Sequence, residues 1–243
     1  QKLQRIGYDE LERCIKRFVK TMEKENQNRF NKVKYEFNIE EFKKNKFFGR
    51  YPQTKVTDRN IINNLRNITE ENEFGYIEFN YQEYKSHDGN YYLVEPIKWR
   101  ILSENSESYQ LLSEFIIDGV VFYDEPYDIR TVDGKTIYGS NYEYSNIRAW
   151  LNGYDGSSYS VNNYTNKGFF DIAFSEDEQN VIIKNFIDNN TKVNPNIACD
   201  NTIDFVTLLS KHEINNSEYG FVSYDTKLAQ ETDYVPNYND RNY

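Results

Sequence analysis

Residues 76–94 read YIEFNYQEYKSHDGNYYLV, and this stretch decides the fold class. Its centre is Ser86-His87-Asp88-Gly89-Asn90, with tyrosine-rich, β-prone runs on either side. Asp-Gly between two such runs is a strong hairpin signal, because the favoured two-residue turn needs positive φ at both central positions. Residues 76–84 and 91–94 are therefore read as paired strands. Further on, residues 97–102 (IKWRIL) and 109–113 (YQLLS) flank a polar turn and predict a second antiparallel pair. Upstream, residues 47–53 (FFGRYPQ) read as a short strand stopped by Pro52, which has no N–H for a ladder.

Helix signals surround these strands. Asp58 caps a helix carrying Ile61, Ile62, Leu65 and Ile68. Ser145 caps a short helix over residues 146–152, and Gly153 stops it. Ser175 with Glu178 three positions on forms a capping box, which predicts a helix running through Ile187; Ser210 with Glu213 repeats the pattern. Between them, residues 202–209 read as a buried strand. The fold class is α+β: an antiparallel sheet core with flanking short helices, preceded by an N-terminal amphipathic helix. In that first helix Tyr8, Leu11, Ile15, Phe18 and Met22 share one face. A further short helix follows from Glu40, capped by Asn38. The organisation predicted is a helical segment over residues 1–45 and an α+β domain over residues 46–243. Beyond Ser223 the chain is polar, and its last residues are expected to be poorly ordered.

Charge and composition narrow the function classes. Of 243 residues, 39 are Asp or Glu against 29 Lys or Arg, a net charge of −10 that repels phosphate backbones and anionic membranes. Nucleic acid is excluded as a partner, and no apolar run is long enough to predict a membrane span. Two cysteines, Cys14 and Cys199, make no metal spacing and are read as unpaired thiols. The only histidines, His87 and His212, read as a turn residue and a helix-start residue. Neither a nucleophile elbow nor a Cys/His pairing is visible, so no catalytic residue and no cofactor is assigned. The first residue is Gln1, so removal of an upstream segment is expected, either an export signal or a trim.

Six short motifs then occur in order: residues 48–54 (FGRYPQT), 94–102 (VEPIKWRIL), 111–114 (LLSE), 145–152 (SNIRAWLN), 173–175 (AFS) and 208–210 (LLS). Together they resemble a bacterial family of domains of unknown function, found in clostridia, spirochaetes and other bacteria, often in exported or surface proteins. The resemblance implies a fold distantly similar to the C-type-lectin-like fold of formylglycine-generating enzymes, and an extracellular or cell-envelope location. Members usually continue into a Trp-rich stretch and a closing Gly-Val-Arg-Pro strand, which this sequence lacks. Its C-terminal strands are therefore expected to be missing or supplied otherwise. Formylglycine-generating chemistry also requires paired late cysteines, which Cys199 alone does not provide.

Three functional readings follow. With 22 Tyr and 16 Phe against 2 Trp, the polypeptide is rich in side chains suited to recognition. Tyr123, Tyr127, Tyr138, Tyr142, Tyr154, Tyr159 and Tyr164 lie among Asn, Ser, Gly and Asp, the composition of binding loops. These seven are the candidate binding residues of a non-enzymatic binding or structural module, with a protein or glycan as partner. The alternative is a hydrolase using loop carboxylates. Asp124, Glu125, Asp128 and Asp133 crowd one loop and are the candidates there, with calcium as a conceivable ion, although their spacing matches no EF-hand. A third reading is a scaffold that assembles through the Tyr8–Met22 stripe. Trp99 and Trp150 are read as core, and Arg100 and Arg148 as partners of buried acids or carbonyls.

Overall fold

The computed structural model describes residues 2–7, 43–123, 130–132, 134–155, 162–189 and 199–235. The Tyr8–Met22 stripe, the Asn38 cap and the acidic loop with Asp124, Glu125, Asp128 and Asp133 lie outside these residues.

In chain order the elements are β1 (Lys2–Gly7), β2 (Phe47–Lys55), α1 (Arg59–Leu65), β3 (Ile77–Phe79), β4 (Gln82–His87), β5 (Asn90–Glu104), β6 (Ser108–Ser113), β7 (Arg130–Val132) and β8 (Lys135–Ile137). Then come α2 (Asn146–Asn152), α3 (Phe169–Ala173), α4 (Glu176–Gln179), β9 (Ile182–Ile183), β10 (Asn185–Ile187), β11 (Thr202–Asp204) and β12 (Val206–Thr207), with three 3-10 turns between Glu213 and Lys227. Eight strands form one sheet in the order β12-β1-β6-β5-β4-β3, with β2 paired to β5 and β9 to β1. The ladders are antiparallel, as the α+β reading requires. Two further pairs, β7–β8 and β10–β11, stand apart as ribbons.

The Asp88-Gly89 turn forms as expected, with φ of 46° and 73° at its centre. Three expectations change. Residues 76–84 are themselves a hairpin, turning at Asn80 and Tyr81 with φ of 49° and 64°. Tyr81 is an unusual occupant of a left-handed position, which is why the sequence hid this turn. Pro52 does not stop β2. The strand runs on to Lys55 as an edge strand, pairing with β5 alone, where a missing N–H is tolerated. Residues 91–94 and 97–102 are one fifteen-residue strand passing through Pro96. The ladder to β4 ends at Leu93 and that to β6 begins at Trp99, so Pro96 sits where β5 has β2 as its ladder partner.

The helix expected through Ile187 ends at Gln179. Its Ser175–Glu178 capping box is present, but Ile182 then pairs with Ile6 of β1, and the β-branched run is drawn into the sheet. The polar segment after Ser223 is tied to the body of the fold, with Ile116 N–H donating to Gln230 O and Thr232 N–H to Ile116 O, while the last residues, 236–243, lie outside the described residues. No helix among the described residues is long and apolar enough to cross a membrane.

The main core lies between the sheet and helices α2 and α3. Phe48, Tyr51, Ile97, Trp99, Tyr109, Leu111, Trp150, Leu151, Phe169 and Phe174 are buried there, and Trp99 Nε1–H donates to Phe48 O at 2.6 Å. Gly49 explains its own place in this core. It holds φ +68°, and a Cβ there would stand 2.6 Å from the Phe174 ring. The neighbouring half-buried Glu178 accepts from Gly49 N–H and Ser175 N–H, which ties α4 to β2. Burial nonetheless pushes the Glu178 carboxyl up.

Candidate functional site

Helix α2 organises the tyrosine loops. Its Ser145 cap accepts from Arg148 N–H, Gly153 closes it at φ 67°, and all seven of its residues are buried. A helix this polar can be buried only if each polar side chain finds partners. Asn146 donates to Val121 O at 2.9 Å and accepts from the Tyr164 hydroxyl at 2.8 Å and Asn162 Nδ2 at 3.1 Å. Asn152 acts as a strand substitute: its Oδ1 accepts from Phe205 and Val206 N–H, and its Nδ2 donates to Val206 O.

Arg148 is the centre. Its Nε donates to both carboxylate oxygens of Asp204 at 3.0 Å, Nη2 lies 2.9 Å from Asp204 Oδ1, and Nη1 donates to Glu143 O at 2.8 Å. Asp204 is fully buried. Burial opposes the guanidinium charge, but the hydrogen bonds and charge of Asp204 outweigh it and raise the Arg148 pKa. Tyr154 completes the pair by donating its hydroxyl to Asp204 Oδ1 at 3.1 Å, with the guanidinium 5.1 Å from its ring. Tyr142 lies against the same pair, and burial raises its phenol strongly. The Cys199 thiol, free and half-buried, is likewise pushed up by burial, next to Glu143.

The ion pair anchors the β10–β11 ribbon. In its register Asn185 faces Asp204, Phe186 faces Ile203 and Ile187 faces Thr202. Strand alternation sends Thr202 and Asp204 inward, where both are buried, and Ile203 outward. Phe186 and Ile203 are therefore cross-strand neighbours, 66% and 58% exposed. The far end is closed by Asn189, which donates to Asp200 O and Thr202 Oγ1, while Asp200 N–H donates to Glu143. At the near end Phe205 stacks on Phe170 at 4.2 Å, and Lys184 caps its other side at 4.6 Å from the ring. An exposed apolar pair on an element fixed at both ends is a surface that can meet another molecule with little loss of entropy.

The tyrosines named from the sequence divide among several environments. Tyr142, Tyr154 and Tyr164 gather around α2. Tyr123 is buried with Ile137 and Tyr144 in a small separate cluster against Val132, and Tyr138 is 40% exposed. Tyr127 and Tyr159 lie outside the described residues. Among the described residues no group of three or more His, Cys, Asp or Glu is placed to hold a metal ion. Sequence reasoning anticipated an acid or carbonyl for Arg148 but missed Asp204. The available signal was one acid in the otherwise apolar or uncharged run TIDFVT of residues 202–207.

Residues 98–242 match the family described as Domain of unknown function (DUF6273). The chain belongs to this family. The DUF6273 match covers more than half of the chain, including α2, the ribbon and the whole Arg148–Asp204 centre. It begins within β5, so Phe48 and Tyr51 of β2 complete the DUF6273 core from outside the matched residues. No curated protein and no solved structure matches the chain.

Proposed function

We propose that this DUF6273 chain is a non-enzymatic binding module that meets a protein partner on the ribbon face beside α2. The observation that carries the reading is the Phe186–Ile203 pair, exposed on a ribbon whose inner side is bolted to α2 through Asp204 and Arg148. Aromatic and aliphatic anchors on rigid supports are what binding hot spots require. Tyr154, whose hydroxyl reaches Ile203 O at 3.4 Å, extends the face toward the tyrosine loops. The buried Arg148 of α2 is engaged by Asp204 of the ribbon, in keeping with a scaffold role. The resemblance to C-type-lectin-like folds and an envelope or secreted location belong to this same proposal, and they keep a glycan as the competing ligand class.

The test uses a glycan array and a panel of purified cell-surface proteins, probed with the full chain and with a Phe186→Ser/Ile203→Ser variant. The expected result is a protein ligand whose affinity falls by at least about tenfold in the variant, the loss of one hot-spot contact. A Tyr81→Ser control, remote in sequence on the β3–β4 turn, leaves that affinity unchanged. Binding indifferent to the ribbon substitutions, or turnover of a glycoside abolished by a carboxylate substitution, rejects the proposal.

A further inference from the structure

Strand β1 is an interior strand of the main sheet, with β6 on one side and β12 and β9 on the other. Among the described residues β12 and β9 have no strand partner but β1. Taking β1 away would leave a slot between two walls. One wall is β6, where Tyr109 and Leu111 are fully buried; the other carries Ile182 and Val206, also buried. The outer side of β12 is already met by Asn152, which bonds both Val206 N–H and Val206 O. An empty slot would expose backbone donors and acceptors along both walls together with core side chains, so a strand must fill it.

The walls and the strand have different origins. β6, β9 and β12 all lie within the DUF6273 match, and β1 lies outside it. Residues 8–46 separate β1 from β2, the next strand. Even wound wholly as helix, a connection of about 40 residues spans about 60 Å, twice the diameter of a small domain. That length lets β1 reach its own slot or the slot of a neighbouring copy. Each wall also holds the strand over a short stretch. The β6 ladder is broken by a register shift between Leu3 and Ile6, and β9 and β12 are two residues long each.

We propose that the slot between β6 and the β9/β12 wall is a strand-acceptor site that takes residues 2–7 of a second copy of this chain, in a reciprocal strand exchange. A second copy offers an identical strand, so the same ladders form and only the cost of association separates the two states. The tethered strand competes at an effective concentration of about millimolar order, so exchange grows with protein concentration and wherever copies are held close together. The site is separate from the Phe186–Ile203 face, which belongs to the β10–β11 ribbon and not to the main sheet.

Disulfide capture in the full chain tests this, with Cys14 and Cys199 replaced by serine. Arg5 and Ile183 stand opposite each other in the β1–β9 ladder, at a Cα separation that a disulfide bridges, and Ile183 is exposed. An Arg5→Cys chain and an Ile183→Cys chain are unfolded in urea, refolded together at high concentration and treated with oxidised glutathione. The expected product, identified by mass, is a covalent dimer holding one chain of each kind. Its yield is expected to be at least about fivefold above that obtained when Tyr81→Cys, on the exposed β3–β4 turn, replaces Ile183→Cys. The double variant Arg5→Cys/Ile183→Cys, treated alone, is expected to give both cross-linked monomer and cross-linked dimer. Lys2→Cys with Leu112→Cys, opposite each other in the β1–β6 ladder, repeats the test from the other wall and stands in if the first pair does not fold. The proposal is overturned if cross-links form only within single chains, if the Tyr81→Cys control matches the slot variant, or if neither pair cross-links at all.

Discussion

Asp204, beside α2, is fully buried, whereas Asp118, just after β6, is half-buried. Asp204 faces a guanidinium that engages both of its oxygens, with the Tyr154 hydroxyl as a further donor. Asp118 faces a phenol and one backbone N–H, and burial raises its pKa. The first arrangement balances charge with charge and fixes the ribbon to the helix. The second has neutral donors only, so the cost of ionisation is met by the fold. The difference lies in the donors supplied, because the acid is the same residue type in each place.

The sharpest way to break the comparison is to unbalance the Arg148–Asp204 pair. Arg148→Met leaves Asp204 buried without its cation and is expected to cost about 3–5 kcal/mol in urea unfolding. Adding Asp204→Leu removes the orphaned charge, and the double variant is expected to recover much of that loss; a double variant as unstable as the sum of its singles breaks the charge-balance account. At the phenol-paired acid the effect is smaller. Tyr51→Phe deletes one donor and is expected to cost about 1–3 kcal/mol near neutral pH. It costs less in acid, where a protonated Asp118 needs the donor less.

The pH dependence has a definite sign. Asp118, Asp171 and Glu178 all have carboxyls raised by burial. Their contribution to stability is complete below the unfolded-state values near pH 4, and it is lost as pH rises through the raised folded-state values. Stability owed to these groups therefore declines from acid toward neutrality. Asp118→Asn removes one share of that decline, so the variant gains on the wild type as pH increases. Chemical denaturation of both across pH 4–8 measures the gap, and a gap that narrows with rising pH contradicts the assignment. The smallest effect belongs to the exposed ribbon face, where Phe186→Ser is expected to change stability by no more than about 0.5 kcal/mol. A larger loss in thermal unfolding means that Phe186 is holding the fold together.

Local signals in the sequence hold where the physics is local. The Asp88-Gly89 turn, the Asp58 and Ser145 caps, the Gly153 stop and both Ser-x-x-Glu boxes are all present. They depend on groups within a few residues of one another. Misreadings arose where distant partners intervene: Ile182 leaves a helical context to pair with β1, and Pro52 is carried through an edge strand by β5. The polar tail after Ser223 offered no hydrophobic pattern, yet Tyr234 packs among Tyr51, His87 and Tyr92.

By itself the amino-acid order determined the α+β class, the hairpin at the heart of the sheet and the ends of several helices. Periodicity, turn chemistry and capping act over a handful of residues. Only the tertiary structure decided which acid meets which donor. Arg148 and Asp204 are 56 positions apart, and Tyr51 and Asp118 are 67 apart. Neither pairing leaves a trace in local composition, because it is the closure of the chain around a shared core that sets the surroundings of each carboxyl.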